Sequence, residues 1–272
     1  MANFIFLPLR RENIMLQVIT IKAFNDNYIW LIKDSQSQRC ILVDPGDAQP
    51  VLEILEQQNL SVDAILVTHA HQDHIGGISE LLAHFNKEIP IYSKDKLFSS
   101  SEPVEEGKTL CFFEQRLSLK VMFVPGHTLD HVAYYNDSSL FCGDTLFSAG
   151  CGRVMEGTHQ QMFTSLARIS QLKDTTKVYC AHEYTQQNLI FALHLEPKNR
   201  ALRAHMQKVA KLRQQGLASV PTTLALEKTL NPFLRCSDTG LKNALQNKLC
   251  DEIHDALHCF TKLRQYKDVF IC

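Results

Sequence analysis

Four separate apolar segments of this 272-residue chain each run directly into side chains of the kind that ligate metals, and that pattern restricts the fold more than any other feature. Residues 64–67 lead into Thr68-His69-Ala70-His71-Gln72-Asp73-His74, and residues 119–124 into Pro125-Gly126-His127-Thr128. Residues 140–142 lead into Gly143-Asp144-Thr145, and residues 178–180 into Ala181-His182-Glu183. Short β-branched or apolar runs of this length read as strands. In open α/β sheets, sites assemble outside the carboxyl ends of the strands. Side chains alternate along an extended chain, so His69 and His71 point the same way. The turn into a helix at Gly76-Gly77 then brings Asp73 and His74 round to a neighbouring position. One histidine after one strand is usually an ordinary surface or core group. Four strands ending this way describe a shared site, and imidazole with carboxylate suits Zn, Fe or Mn ions.

The remaining sequence divides at about Tyr184. Before it, strand-like runs at residues 18–21, 28–32, 40–43 and 132–135 join those above. Helical spacing places Val51, Leu52, Ile54 and Leu55 on one face of residues 50–58, and Ile78, Leu81 and Leu82 on one face of residues 75–85. After it, residues 189–195, 202–212, 241–249 and 253–263 have helical period, and no strand is expected among them. The expectation is an α/β domain over residues 15–183 and an all-helical domain over residues 184–272. Residues 1–14 read as an extension: their arginines follow the apolar stretch, the wrong order for a signal peptide.

Composition narrows the partners. Hydrophobic residues make up 45% and charged residues 21%, with a formal net charge of −1 and no basic or acidic block. Nucleic acid and a polybasic membrane contact are therefore not expected, and no apolar run reaches the roughly 18 residues of a membrane span. The nine cysteines are odd in number, scattered and without a CxxC pair, which points to a reducing cytoplasm instead of a disulfide framework.

The segments THAHQDH, PGHT, CGDTLF and CAHEYT resemble the metallo-β-lactamase superfamily. Within it, the chain resembles the hydroxyacylglutathione hydrolases, or glyoxalase II enzymes. The further marks are Asn25-Asp26-Asn27-Tyr28, Val43-Asp44-Pro45-Gly46, Gly150-Cys151-Gly152-Arg153, Glu156-Gly157-Thr158 and Asn231-Pro232-Phe233-Leu234-Arg235, with Arg264 and Lys267 near the end. The resemblance runs from Met15 to the C-terminus. It implies an αββα sandwich followed by a helical domain that closes over the substrate. It also implies that His69, His71 and His127 bind one metal ion, that Asp73, His74 and His182 bind a second, and that Asp144 bridges them. Seven ligands exceed the need of one tetrahedral ion and suit two divalent ions, zinc first with iron or manganese as alternatives. Such a pair lowers the pKa of a shared water from about 15.7 towards 7 and so supplies a hydroxide at neutral pH, with Asp73 and Asp144 as catalytic carboxylates.

The implied reaction is hydrolysis of an S-(2-hydroxyacyl)glutathione, such as S-lactoyl-glutathione, to glutathione and a 2-hydroxy acid. A thiol leaving group, with a pKa of roughly 8.5–9, requires no strong general acid. Arg153, Arg264 and Lys267 match the cationic positions that take the glycine end of glutathione, and Tyr184 matches a tyrosine that bonds its backbone. A monomer acting on this small molecule is expected. Two positions depart from the pattern. Asp130 precedes His131 where relatives often have glycine, and Met155 stands where they present Tyr or Phe. A mononuclear-iron persulfide dioxygenase shares HxHxDH, but the long helical region ending in Arg264 and Lys267 argues against it. Another hydrolase of this fold, such as a lactonase, is the other alternative.

Overall fold

The computed structural model describes residues 17–85 and 87–271; the extension at residues 1–14 lies outside them. Two six-stranded sheets carry the fold. The first has, in order, β1 (Gln17–Ala23), β2 (Asn27–Lys33), β3 (Arg39–Val43), β4 (Ser61–Leu66), β5 (Ile91–Ser93) and β6 (Ser101–Pro103). Antiparallel β1–β2–β3 pairs give way to parallel pairs from β3 onward. The second sheet contains β7 (Thr109–Phe112), β8 (Leu117–Phe123), β9 (Val132–Tyr135), β10 (Ser139–Gly143), β13 (Lys177–Cys180) and β14 (Thr222–Thr223), with β13 lying between β10 and β14. A two-stranded hairpin, β11 (Leu146–Phe147) and β12 (Gly150–Cys151), projects after β10.

The inner strands β2, β3 and β4 of the first sheet are buried on both faces, and the sequence shows it as near-continuous apolar runs. Tyr28, Trp30 and Ile32 of β2 face the core between the sheets, whereas Ile29 and Leu31 face the outer side. There they meet Val51 and Leu55 of α1 (Gln49–Gln58) and Ile78 and Leu81 of α3 (Ile78–Phe85). The second sheet is covered by α4 (His159–Ser170) through Met162, Leu166 and Ile169, and by the C-terminal helices. This is the expected αββα sandwich. Each buried aliphatic side chain contributes roughly 1.5–3 kcal/mol, so the doubly covered strands form a stiff platform for their C-terminal ends.

Three differences from the sequence reading bear on the site. The helix expected at residues 75–85 is two: α2 (Gln72–Ile75), carrying Asp73 and His74, and α3, separated at Gly76-Gly77. A Cβ on Gly77 would lie 2.5 Å from Ala48 N, so the loop after β3 occupies the space a continuous side-chain surface would need. Helix α4 escaped the sequence reading although Thr158 and Gln161 form a reciprocal capping box at its start. The third is β14, a strand within the region expected to be wholly helical. Thr222 and Thr223 pair antiparallel with Val178 and Lys177. Two residues are too few for a period to show in sequence.

The C-terminal region is otherwise α5 (Thr185–Leu195), α6 (Arg200–Gln214), α7 (Leu224–Leu230), α8 (Thr239–Leu249) and α9 (Ala256–Val269). Helix α9 starts later than the expected residue 253, because Asp255 caps it by accepting from His258 N–H. Phe260 of α9 packs on Phe163 of α4 with ring centroids 5.7 Å apart, which carries Arg264 and Lys267 towards the strand ends. Among the described residues, no helix is long and apolar enough to cross a membrane.

Candidate metal centre

Loops at the carboxyl ends of β4, β8, β10 and β13 deliver the ligand-type side chains to one place. His69 Nε2 and His127 Nε2 each lie 3.1 Å from His71 Nδ1. Asp73 Oδ2 lies 3.6 Å from His74 Nε2 and 3.4 Å from His182 Nε2. Asp144 stands between the two trios: Oδ1 is 3.5 Å from His74 Nε2 and 3.3 Å from His182 Nε2, while Oδ2 is 3.5 Å from His127 Nε2. All seven residues named from the sequence are thus brought together, and they group as His69, His71 and His127; His69, His74 and Asp144; and Asp73, His74 and His182.

The rings of His69, His74, His127 and His182 are held from behind, by groups to which the sequence reading gave no part in orienting them. His74 Nδ1 donates to Asp44 Oδ2 (3.0 Å), His182 Nδ1 to Asp26 Oδ1 (2.8 Å) and His127 Nδ1 to the Arg153 carbonyl (2.8 Å). Thr68 Oγ1 lies 3.1 Å from His69 Nδ1, and Asn27 Nδ2 donates to Asp73 Oδ2 at 2.9 Å. These outer bonds fix which ring nitrogen faces inward. Asp44 is buried at the end of β3 with φ of 52°, in the left-handed region that Asp tolerates better than most residues. From there it also accepts from Thr68 N–H and Thr68 Oγ1, both at 2.7 Å. The signals available in sequence were the Asn25-Asp26-Asn27 and Asp44-Pro45-Gly46 turns. His131 adds a further support: its Nε2 accepts from Asp144 N–H at 3.1 Å, and its ring stacks on His69. Asp130 takes an ordinary negative φ, so the loop needs no glycine there.

The donor set fits cations. His74 Nε2 and Asp144 Oδ1 are buried polar atoms without a hydrogen-bond partner among the described residues, and they face each other. Such groups are rare unless they ligate. Burial, reinforced by neighbouring imidazoles, holds His69 well below the usual imidazole range, so its lone pair is available. Burial also lowers His127, and it takes His131 down to about 3. On the other side, burial opposes charge on His182, but Asp144, Asp73 and Asp26 outweigh it and push the ring up to about 11. Asp73, bonded to His182, is held below the usual carboxylate range. Asp144 is held there too, because His74 and His182 outweigh the opposing effect of burial. Metal ions take the place of such protons when ligands of this kind bind them.

A cavity of about 480 Å³ opens from His127 and Asp144. Arg153, Met155, Tyr184, Arg264 and Lys267 all line it. Tyr184 stacks on His182 at 4.7 Å, and Met155 is 63% exposed. Arg153 is largely exposed, whereas Arg264 is buried. The Arg264 guanidinium donates to Cys151 O at 2.9 Å, pairs with Asp268 at 2.9 Å and covers the Phe233 ring. It therefore ties α9 to β12 as well as lining the cavity. Lys267 Nζ lies over the Phe191 ring, 5.0 Å from its centroid. Asn231 pins the β11–β12 hairpin by donating to Phe147 O and Gly150 O.

The double sandwich with two facing ligand trios defines a metallohydrolase of the metallo-β-lactamase superfamily, whose family model matches residues 24–182. The model described as Hydroxyacylglutathione hydrolase C-terminus matches residues 183–270. The chain is 63% identical over 256 residues to a hydroxyacylglutathione hydrolase of Psychromonas ingrahamii, covering 94% of this chain and all of that one. It is 50% identical to one of Photobacterium profundum at the same coverage. A protein crystallised in a di-iron-bound form is 25% identical, with a TM-score of 0.57 over 80% of this chain and all of that one. The chain belongs to the hydroxyacylglutathione hydrolase family.

Proposed function

We propose that the chain hydrolyses the thioester of S-(2-hydroxyacyl)glutathiones, with two divalent metal ions held by the seven ligands. The observation that carries this reading is one cavity lined both by the ligand residues His127 and Asp144 and by the cationic residues Arg153, Arg264 and Lys267. Bound there, divalent ions lower the pKa of water and act as Lewis acids towards a carbonyl. The protein's own part is orientation. Asp44, Asp26, Thr68 and the Arg153 carbonyl keep the imidazoles aimed inward, and Asp144 spans both trios. Lys267 and Arg153 offer charge to the glycine carboxylate of glutathione, with Arg264 behind them. Burial, aided by nearby carboxylates, raises the Tyr184 phenol, so it stays a hydrogen-bond donor at neutral pH, available to the tripeptide backbone. From the helical region, Tyr184, Gln187, Asn188, Arg264, Lys267 and Phe270 line this cavity. Nitrogen and oxygen ligands accept zinc, iron or manganese, and the di-iron form of a similar protein supports two ions per site. Among the described residues the cysteines are free thiols, Cys111 and Cys250 exposed, which supports a reducing, cytoplasmic setting. A monomer completes the reading.

The decisive test is metal analysis of the purified protein together with an assay of S-lactoyl-glutathione hydrolysis. Close to two ions per chain and turnover of the thioester are expected. Full activity with one ion per chain would overturn the dinuclear reading.

Substrate recognition gives two further expectations. Lys267→Ala should raise KM for S-lactoyl-glutathione roughly 10–100-fold, the scale of one charge-assisted hydrogen bond. It should change hydrolysis of a small thioester without a carboxylate far less. Equal losses on both substrates would assign Lys267 to the fold. Arg264→Ala is a poorer probe, since it also removes the bond to Cys151. The second expectation concerns Met155, which offers no hydrogen-bond donor. Because its side chain is exposed at the cavity wall, Met155→Tyr should lower KM roughly 2–10-fold and leave kcat nearly unchanged. Steady-state kinetics decide it; an unchanged or higher KM would show that the phenol finds no partner.

A further inference from the structure

Among the described residues, two further cavities meet the ligand trios. One, of about 270 Å³, reaches His71 and is walled by Lys94, Asp95, Asp130 and Glu156. The other, of about 550 Å³, reaches Asp73 and is walled by Phe24, Gly46 and Gly76. A thioester carbonyl carbon has two substituents. With the sulfur and its tripeptide in the cavity beside His127 and Asp144, these two cavities are open to the acyl group.

The cavity beside His71 is polar, and two of its charged groups already serve the chain. Lys94 Nζ donates to Leu129 O at 2.6 Å, and Glu156 accepts from Leu129 N–H at 3.0 Å. The cavity beside Asp73 differs in kind. Of its two amides, Asn27 donates to Asp73 at 2.9 Å and Gln72 lies exposed on the first turn of α2, while Gly46 and Gly76 present backbone alone. Its one large apolar side chain is Phe24, whose ring is 59% exposed. Phe24 has φ of 50°, a left-handed conformation that aromatic residues rarely adopt. The turn cannot relax it cheaply. Ala23 pairs with Asn27 across the turn, Asp26 O accepts from Glu183 N–H at 2.8 Å, and the Asp26 carboxylate holds His182. A strained backbone that keeps an apolar ring exposed above a ligand carboxylate is the kind of outlier that marks substrate contact.

We propose that the cavity between Phe24 and Asp73 receives the acyl group, and that the Phe24 ring biases the enzyme towards 2-hydroxyacyl groups with aromatic or branched apolar substituents. This rests on the thioester hydrolase reading. The test compares wild type with Phe24→Ala, which keeps a Cβ and hence the same backbone conformation. Titration calorimetry uses two non-hydrolysable probes, S-(N-phenylcarbamoyl)glutathione and S-(N-methylcarbamoyl)glutathione, and kinetics use S-mandeloyl- and S-lactoyl-glutathione. The phenyl-over-methyl affinity ratio and the mandeloyl-over-lactoyl ratio of kcat/KM should both fall roughly 3–10-fold, the scale of one ring–ring contact. Unchanged ratios overturn the proposal. So does a Lys94→Ala variant that shifts these ratios while Phe24→Ala does not, since the acyl group would then occupy the polar cavity. Failure of the metal-loaded wild type to hydrolyse either thioester while it still binds both probes would instead sink the hydrolase reading. Failure to bind either probe would sink both.

Discussion

Asp144→Ala should strip the site of both metal ions and lower kcat/KM at least about a thousandfold. Its Oδ1 faces His74 and His182 while its Oδ2 faces His127, so one carboxylate serves both trios. Without it, the first trio keeps three imidazoles and loses its only carboxylate. The second keeps Asp73 as its one remaining carboxylate beside His74 and His182. A metal acting as a Lewis acid supplies several kcal/mol to such a reaction, and each ~1.4 kcal/mol is a factor of ten. Asp73→Ala provides the contrast: it should weaken the ion beside His182 and leave the one beside His69 and His71 in place. Metal content by elemental analysis separates the two variants. An Asp144→Ala protein that still binds two ions would show that the carboxylate does not bridge.

The second large effect is expected from a single methyl group. An alanine Cβ at position 46 would sit 1.8 Å from the Asp73 carbonyl oxygen, and one at position 152 would sit 1.9 Å from that of Asp144. Both obstacles are backbone atoms of ligand residues, so no flexible side chain can move aside. Overpacking of this kind costs typically 1–3 kcal/mol and occasionally more, which predicts a Tm lower by several degrees. Because the displaced backbone carries a ligand, metal content should fall as well. Gly107→Ala is the control, with nothing within 4 Å of the added carbon and only a φ of 75° to penalise it, about 1–2 kcal/mol. It should melt slightly early and keep its metal. A Gly46→Ala protein with normal melting and full metal content would mean that the loop after β3 is not clamped against α2.

The seven ligands were legible because each follows a strand within a few residues, and strand ends can be read locally. The groups that orient them were not. Asp44 reaches His74 across 30 residues and Asp26 reaches His182 across 156, and nothing in either turn announces such a partner. Arg264 illustrates a different limit. Its match to a family position gave a role in binding, but burial against Phe233 and Cys151 is a property of packing that no local pattern displays. Helix α4 was legible and passed over: Thr158 with Gln161, followed by Met162, Leu166 and Ile169, is a start signal with an apolar face. The sandwich was what the resemblance implied; unbroken apolar runs such as residues 28–32, which suit a sheet covered on both sides, accord with it.

The short strand β14 has a consequence for how the substrate arrives. It fastens the helical region to the sheet beside β13, Asn231 fastens it to the β11–β12 hairpin, and Arg264 fastens it to Cys151. A wall stitched at three separate points does not swing as a hinged flap. The cavity proposed for glutathione thus stands ready before any ligand enters, and little ordering of the protein has to accompany binding. Affinity for the tripeptide then reflects the fit of a preformed mould, and traffic in and out is governed by the mobility of the substrate more than by that of the enzyme.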